Sequence, residues 1–283
     1  MTHSFIYALI SLLFAGANDT LLKKQAISGQ CQSQYMAIAG VVWSSVFICS
    51  AFYQGQYLPS WETIKWTLTI GVLSAFANYM LIYSMRRLEA SVASAIYRLN
   101  LALAAIIAFI FLAESINLLR IFGLILACSA VFCFAQHQQK ILSKGVWSML
   151  FIVIIASVMR AIYGTCYKIA LAKGVEYLWF LSGPGLGWAV LGSITAFKSG
   201  GLRIPINNLL RGVFSGFLLC GLIFFFAKAL EHGQASVIIP VSQMSFVVTA
   251  VLAWLFFREK PSVRKIIGLI LACLSISVLS QSG

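Results

Sequence analysis

Apolar residues run along this chain in ten long stretches, and short polar segments separate them. Each stretch is about 17 to 28 residues long, so as a helix it can cross the roughly 30 Å hydrocarbon core of a bilayer. The period-two alternation of a membrane β-strand does not occur within them. The pattern predicts an all-α integral membrane protein with ten transmembrane helices, segments 1 to 10, near 3–27, 34–53, 64–85, 91–113, 119–136, 145–172, 177–198, 209–230, 235–257 and 264–281.

Composition supports a membrane protein and excludes several other classes. Hydrophobic residues make up 61% of the chain and charged residues 10%, against about 45–50% and 25% in soluble domains. The net charge of +13 comes from basic residues that stand singly or in pairs at segment ends, where they anchor loops, so we predict a lipid bilayer and no nucleic acid as partner. The seven cysteines are scattered and form no CxxC pair, which predicts neither a metal site nor a cofactor.

The second half of the chain repeats the first. The hexapeptide GLILAC occurs at 123–128 and again at 268–273, and further identities recur in order at the same offset of 145 residues. We therefore predict an internal duplication, with a first five-helix repeat over 1–139 and a second over 140–283. The matched pairs include Gly29 with Gly174, Gly40 with Gly185, Trp43 with Trp188, Ala90-Ser91-Val92 with Ala235-Ser236-Val237, and Glu114 with Glu259.

The repeat must be inverted in the membrane, because a unit of five crossings ends on the side opposite to its start. The charges agree, since the loops after odd-numbered segments carry 13 basic residues and the other loops carry 5. This bias places the odd-numbered loops in the cytoplasm and both chain ends outside. Inverted repeats are typical of secondary transporters, which hold the substrate near the midplane between the two halves.

Polar residues inside the apolar segments are candidates for a substrate site. A charge at a helix centre costs about 2.5–3.5 kcal/mol on insertion scales, so each one needs a reason. Asp19, the only aspartate, lies in segment 1, while Arg98 and Arg160 lie in segments 4 and 6. Three polar residues of segment 9 occupy the positions of Tyr97, Arg98 and Asn100 in the second copy. We predict that the substrate-binding residues are Asp19, Asn78, Tyr79, Tyr97, Arg98, Asn100, Arg160, Tyr163, Ser242, Gln243 and Ser245.

Short motifs at the segment ends resemble those of a known family. The sequence Thr20-Leu21-Leu22-Lys23 closes segment 1, while Phe-Leu-Ala-Glu114 and Phe-Arg-Glu259 close segments 4 and 9. With ten segments in two copies, the chain resembles the EamA type of the drug/metabolite transporter superfamily over its full length. The resemblance implies alternating-access transport of amino acids, nucleotide sugars, purines, amines or drugs. It also implies that both chain ends lie inside the cell, contrary to the charge bias.

One departure from the superfamily bears on the substrate. Its four-helix small multidrug-resistance members have a glutamate two turns before the lysine of the first helix. Here those positions hold Ala15 and Arg160. The change disfavours cationic drugs and favours a substrate with a carboxylate or phosphate, which arginine binds with two parallel hydrogen bonds.

We therefore expect an exporter of amino acids or other carboxylate-bearing solutes. Asp19 either binds the substrate's amino group and couples transport to protons, or forms a structural ion pair with Arg98 or Arg160. Such a pair would leave one cation in excess. The alternatives are efflux of cationic or amphiphilic drugs and amines, and exchange of nucleotides or organic anions.

An enzyme is not expected, because HExxH, GxSxG and Walker-type motifs are missing and the three histidines stand apart. A passive channel has the same kind of architecture and is a further alternative. We expect a monomer in a bacterial inner or plasma membrane.

Four sequence features give expectations about packing. Glu114 and Glu259 stand at segment ends, where contact with lipid headgroups or bracing of a loop is the favoured role. Trp43 and Trp188 are expected to pack the scaffold. Gly183-Pro184-Gly185 marks either a gate or close helix packing. Pro240 has no proline at its counterpart Ala95, so any kink there should be asymmetric.

Overall fold

The computed structural model is a bundle of α-helices. It describes residues 2–84, 96–134, 144–198, 203–257 and 262–281; the predicted repeat boundary at 139/140 and Glu259 lie outside these ranges. Eight helical spans are long and apolar enough to cross a membrane, and Ile96–Phe111 and Leu118–Cys133 are shorter apolar helices. The predicted all-α membrane fold is thus confirmed. The helices are α1 Thr2–Ile27, α2 Gln32–Tyr53, α3 Trp61–Ser84, α4 Asn100–Phe111, α5 Leu118–Phe134, α6 Lys144–Ala172, α7 Tyr177–Lys198, α8 Ile206–His232, α9 Ala235–Gln243, α10 Phe246–Phe257 and α11 Val263–Gln281.

The outer surface of the bundle is apolar, as a surface in contact with lipid requires. A helix satisfies its backbone hydrogen bonds internally, which is why helices can cross hydrocarbon. Polar side chains are instead turned inward, and many serines, asparagines and glutamines are buried. Large hydrophobic side chains that remain exposed include Ile110, Phe122, Ile125, Phe214 and Trp254.

Helix packing follows a two-fold pattern. α2 packs against α7, its own equivalent in the other repeat, and α5 packs against its equivalent α11. α1 packs on α8, and the equivalent pair of α6 and α3 also packs together. The two hexapeptide copies lie in α5 and α11, where Ser275 donates a 2.7 Å hydrogen bond to the carbonyl of Gly123. The described helices therefore form two five-helix halves around one pseudo-two-fold axis.

Small residues bring α2 and α7 into close contact. A Cβ atom at Gly40 would collide with the backbone of Gly185. Beside this crossing, the ring centroids of Trp43 and Trp188 lie 6.3 Å apart, and both side chains are buried. α7 continues unbroken through Gly183-Pro184-Gly185. Of the two interpretations of that tripeptide, the structure therefore supports close packing, and the tryptophans pack the scaffold as expected.

Segments 4 and 9 are each interrupted in mid-membrane, where the sequence analysis expects continuous helices. In segment 9 the break separates α9 from α10, and in segment 4 it separates a helical turn at 96–98 from α4. The breaks lie at Leu99 and Met244, which are equivalent positions 145 residues apart. α9 continues through Pro240, and its counterpart Ala95 lies outside the described ranges, so the expected asymmetry at Pro240 stays a prediction.

Both breaks share one hydrogen-bond pattern. The amide of Leu99 donates to the carbonyl of Ile96, and the amide of Ala102 donates to that of Leu99, each over 3.1 Å. These bonds reach back three residues, as in a 3₁₀-helix, instead of four. The carbonyl of the residue before each break consequently loses its usual helical donor. The same pattern joins the equivalent residues of the second copy, Val241, Met244 and Val247.

The halves of segments 4 and 9 on one side of the bundle are locked together. On the face where α1 begins and α11 ends, α4 packs against α9. The carboxylate of Glu114 accepts hydrogen bonds from the backbone amides of Ala235 (2.7 Å) and Ser236 (2.9 Å) and so caps α9. Lys168 caps the end of α8 nearby through the carbonyl of Gly233, over 2.8 Å. The bracing role expected for Glu114 is therefore confirmed.

Candidate functional site

An ion pair between Asp19 and Arg98 lies beside the two helix breaks. Arg98 Nη2 is 2.7 Å from Asp19 Oδ2, and the same oxygen accepts a 2.8 Å hydrogen bond from Ser245. Asp19 and Arg98 keep 29% and 20% of their side-chain surface exposed, so open space reaches the pair. Within the described ranges every hydrogen bond to this carboxylate ends on Oδ2. Oδ1 therefore has no hydrogen-bond partner among the described residues.

Arg98 also joins the two repeats. Its Nη1 donates to the backbone carbonyl of Gln243 over 2.8 Å and to Ser245 Oγ over 3.0 Å. Gln243 is the equivalent of Arg98 in the second copy, and its carbonyl is free because the helix breaks immediately after it. The side chain of Arg98 thus crosses the pseudo-two-fold axis, and Asp19 balances its charge.

Arg160 carries a charge that no described carboxylate balances. It lies midway along α6, and the ion pairs found among the described residues do not include it. Its guanidinium carbon lies 4.7 Å from the centroid of the Tyr163 ring, a contact that attracts the cation and leaves its charge intact. Its Nε is buried and finds no hydrogen-bond partner in the described part of the chain. A partly buried cation in this state is suited to bind an anionic group.

Three side chains of segments 4 and 9, beside the helix breaks, also have buried polar atoms without partners. They are the hydroxyls of Tyr97 and Ser242 and both amide atoms of Asn100, judged against the residues that the structure describes. A 3.2 Å hydrogen bond from Ser157 to the carbonyl of Tyr97 holds this part of segment 4 one turn before Arg160. Buried polar groups in proteins are almost always paired. A group of unpaired ones therefore indicates a place where a polar ligand completes the hydrogen bonds.

The two predicted residues of α3 lie beside this cluster and bond within their own helix. The amide of Asn78 donates to the carbonyl of Ser74 over 2.8 Å, and the ring of Tyr79 stacks on Tyr83 at 6.3 Å. Ala77, next to Asn78, is buried in the cluster that contains the Tyr97 ring. The structure thus brings α3 to the site without joining either of its predicted residues to a charged group.

Tyr163 lies on the other side of Arg160, toward the face of the bundle where α1 begins and α11 ends. Its hydroxyl lies 3.4 Å from the hydroxyl of Tyr167, and both side chains are buried. Tyr167 in turn packs between the rings of Phe180 and Phe226. Tyr163 is therefore held rigidly against the guanidinium of Arg160.

Sequence analysis missed Thr249. Its hydroxyl donates to the carbonyl of Gly16 over 3.3 Å and lies 3.5 Å from Asp19 Oδ2. The signal was present, since Thr249 follows Ser245 by four residues, and residues four apart share one face of a helix. Gln243, in contrast, was predicted for its side chain, but it contributes its backbone carbonyl.

The site is asymmetric even though its framework is symmetric. On the side of α1 and α10, Asp19 Oδ2, Arg98 and Ser245 form a neutral, hydrogen-bonded group. On the side of α6, Arg160 keeps a free charge among unpaired hydroxyl and amide groups, and it lies within electrostatic range of Asp19. The site thus contains a positive group without a counter-ion and a carboxylate oxygen without a hydrogen-bond partner among the described residues.

Comparison with known proteins agrees with this architecture. A crystal structure, described only as that of a protein, aligns with 100% of this chain and 98% of its own at a TM-score of 0.84 and 13% identity, which shows a shared fold. A search of curated protein sequences returned no match. The model of the EamA-like transporter family matches residues 3–136 and again residues 147–281. The chain therefore belongs to the EamA-like transporter family of membrane proteins.

Proposed function

We propose that this chain exports a carboxylate-bearing metabolite, most simply an amino acid, by alternating access between its two repeats. The main support is the unbalanced charge of Arg160 among unpaired polar atoms at mid-membrane depth. A transporter that binds its substrate with a guanidinium has a reason to keep this arrangement, whereas a structural cation would be expected to have a counter-ion.

The carboxylate of Asp19 is suited to bind the ammonium group of an amino acid. Asp19 Oδ2 is occupied by Arg98 and Ser245, while Oδ1 has no hydrogen-bond partner among the described residues and the side chain of Asp19 is 29% exposed. In the proposed complex, Arg160 binds the carboxylate with two hydrogen bonds and Asp19 Oδ1 accepts a hydrogen bond from the ammonium group. The substrate then adds no net charge to the site.

Coupling to protons follows from the role of Asp19. The ammonium group of the substrate and a proton compete for one carboxylate, so each can leave only as the other arrives from the opposite side. An inward proton gradient would drive such an exchange in the direction of export. The structural ion pair with Arg98 is compatible with this role, since it uses the other oxygen.

Two alternative substrates remain in competition with amino acids. A purely anionic metabolite, such as an organic acid or a nucleotide, would bind Arg160 and leave Asp19 unused. Cationic drugs are disfavoured, because Arg160 and Ala15 stand where the small multidrug-resistance relatives have a glutamate. Both repeats, and so both halves of the site, are carried by one chain, which supports a monomer. We propose that this monomer lies in a bacterial inner or plasma membrane.

A matched series of ligands tests this function. Purified protein is heated with an amino acid, with its carboxamide, which lacks the negative charge, and with the corresponding carboxylic acid that lacks the amino group. We expect the amino acids that bind to raise the melting temperature, the carboxamides to have no effect, and the deaminated acids to bind about tenfold more weakly.

The three solutes differ by one group each, so the series separates the candidates. If a carboxamide or a cationic drug protects the protein as well as any amino acid does, recognition of a carboxylate by Arg160 is wrong. If deaminated acids protect best, the substrate is an organic anion and Asp19 does not bind an ammonium group.

A further inference from the structure

Asn100 is the least satisfied polar side chain of the site. It is the first residue of α4 and is 1% exposed, yet neither its amide oxygen nor its amide nitrogen has a hydrogen-bond partner among the residues described. A buried amide can donate two hydrogen bonds and accept two. The unpaired amide of Asn100 therefore lowers the free energy of unfolding, and nothing else in the described structure offsets this loss.

The other asparagines at this depth do have partners. Asn78 donates to the carbonyl four residues before it, and Asn18 accepts a 2.6 Å hydrogen bond from Ser215. Asn100 has no such partner among the described residues, and it directly follows Leu99, where the helix breaks. The helix break thus leaves this amide free for an outside partner.

The position of Asn100 relates it to the proposed substrate site. It follows Tyr97 by one turn, and the carbonyl of Tyr97 is held by Ser157, one turn before Arg160. The hydroxyls of Tyr97 and Ser242 are also buried and unpaired, and both are less than a tenth exposed. Neutral hydrogen-bonding groups without partners therefore lie on segments 4 and 9, beside the helix breaks.

We propose that Asn100 recognises an uncharged polar group on the substrate, so that the preferred substrates are amino acids with a hydroxyl or amide side chain. This inference rests on the proposed function above. An amide offers both a donor and an acceptor, and a hydroxyl or amide group of the substrate complements both. A charged side chain is disfavoured, because the charged groups described at this depth, Asp19, Arg98 and Arg160, already have partners in the proposed complex.

Hydrogen-bonding sites discriminate strongly against ligands that lack the matching group. An apolar side chain at this position would leave the buried Asn100 amide unpaired in the complex, whereas a polar one of the same shape would satisfy it. For a pair of nearly isosteric amino acids, we expect the polar member to bind about 10- to 100-fold more tightly than the apolar member.

Two such pairs provide the test: threonine with valine, and asparagine with leucine. Dissociation constants for all four are measured on the purified full-length protein and on its Asn100→Leu variant. The wild type should prefer the polar member of at least one pair by tenfold or more, and Asn100→Leu should reduce that ratio to about one. Because the replaced amide is unpaired, this variant should melt no lower than the wild type in the absence of ligand.

Asn18→Leu is the matched control. It is the same substitution at a buried asparagine whose amide is bonded, so it should lower the melting temperature and keep the wild-type preference. Equal binding of both members of each pair by the wild type overturns the role of Asn100 and leaves the proposed function standing, and so does an unchanged ratio in Asn100→Leu. If none of the four binds but another amino acid does, this inference falls and the proposed function stands; if no amino acid binds, both fall.

Discussion

Replacing Asp19 with asparagine should abolish accumulation driven by a pH gradient, while exchange at equal pH on the two sides continues. The carboxylate has one oxygen fixed by Arg98 and Ser245 and one oxygen open. Asparagine keeps the size and can still accept hydrogen bonds, but it cannot take up a proton. Substrate can therefore still cross the membrane, with lower affinity, and the link to the proton gradient is lost.

The measurement uses purified protein in liposomes, with the labelled amino acid that binds best in the thermal-shift series. Accumulation is followed with an imposed pH difference, and exchange is followed with the same pH inside and outside. Asp19→Glu serves as the control that retains a titratable group. Normal pH-driven accumulation by the asparagine variant would leave Asp19 as a structural partner of Arg98. Loss of both activities would assign it to substrate binding or folding instead.

Replacing each arginine of the site with lysine should have different consequences. Arg160→Lys keeps the charge but loses the planar pair of donors that binds a carboxylate. We expect transport to fall at least tenfold, with little change in melting temperature, because the described structure shows no hydrogen bond to the Arg160 side chain that would be lost. A tenfold loss corresponds to about 1.4 kcal/mol of binding or transition-state free energy.

Arg98→Lys should instead destabilise the protein. The guanidinium bonds Asp19, Ser245 and the carbonyl of Gln243 at once, and a lysine ammonium cannot reach all three with the same geometry. We expect a melting temperature several degrees lower, together with reduced transport. If Arg160→Lys transports like the wild type, a carboxylate is not held by the guanidinium, and the proposed substrate class loses its main support.

Much of the fold could be predicted because membrane insertion requires long apolar segments, which are visible in sequence. The duplication is equally visible in the sequence, because residues such as Gly40 and Trp43 recur as Gly185 and Trp188. The helix breaks at Leu99 and Met244 could not be predicted from local composition. Pro240 suggested a kink in the second copy only, and no proline or glycine marks the equivalent break in the first.

Part of the site could also be predicted from the requirements of membrane insertion. A charge in an apolar segment is costly, so Asp19, Arg98 and Arg160 were conspicuous. Which arginine pairs with Asp19 depends on packing between helices far apart in sequence, and both were open until the structure placed Arg98 at 2.7 Å. The unpaired amide of Asn100 is a property of the helix break, so sequence could nominate the residue but could not show that it lacks a partner.

Counterflow in liposomes tests the central claim most directly. Liposomes with wild-type protein are loaded with a high concentration of an unlabelled amino acid and diluted into a trace of the labelled one. A transporter that binds its substrate at Arg160 should give transient, saturable accumulation of label, and Arg160→Gln should remove it. Label that only equilibrates without saturation, or accumulation that survives Arg160→Gln unchanged, would contradict this account.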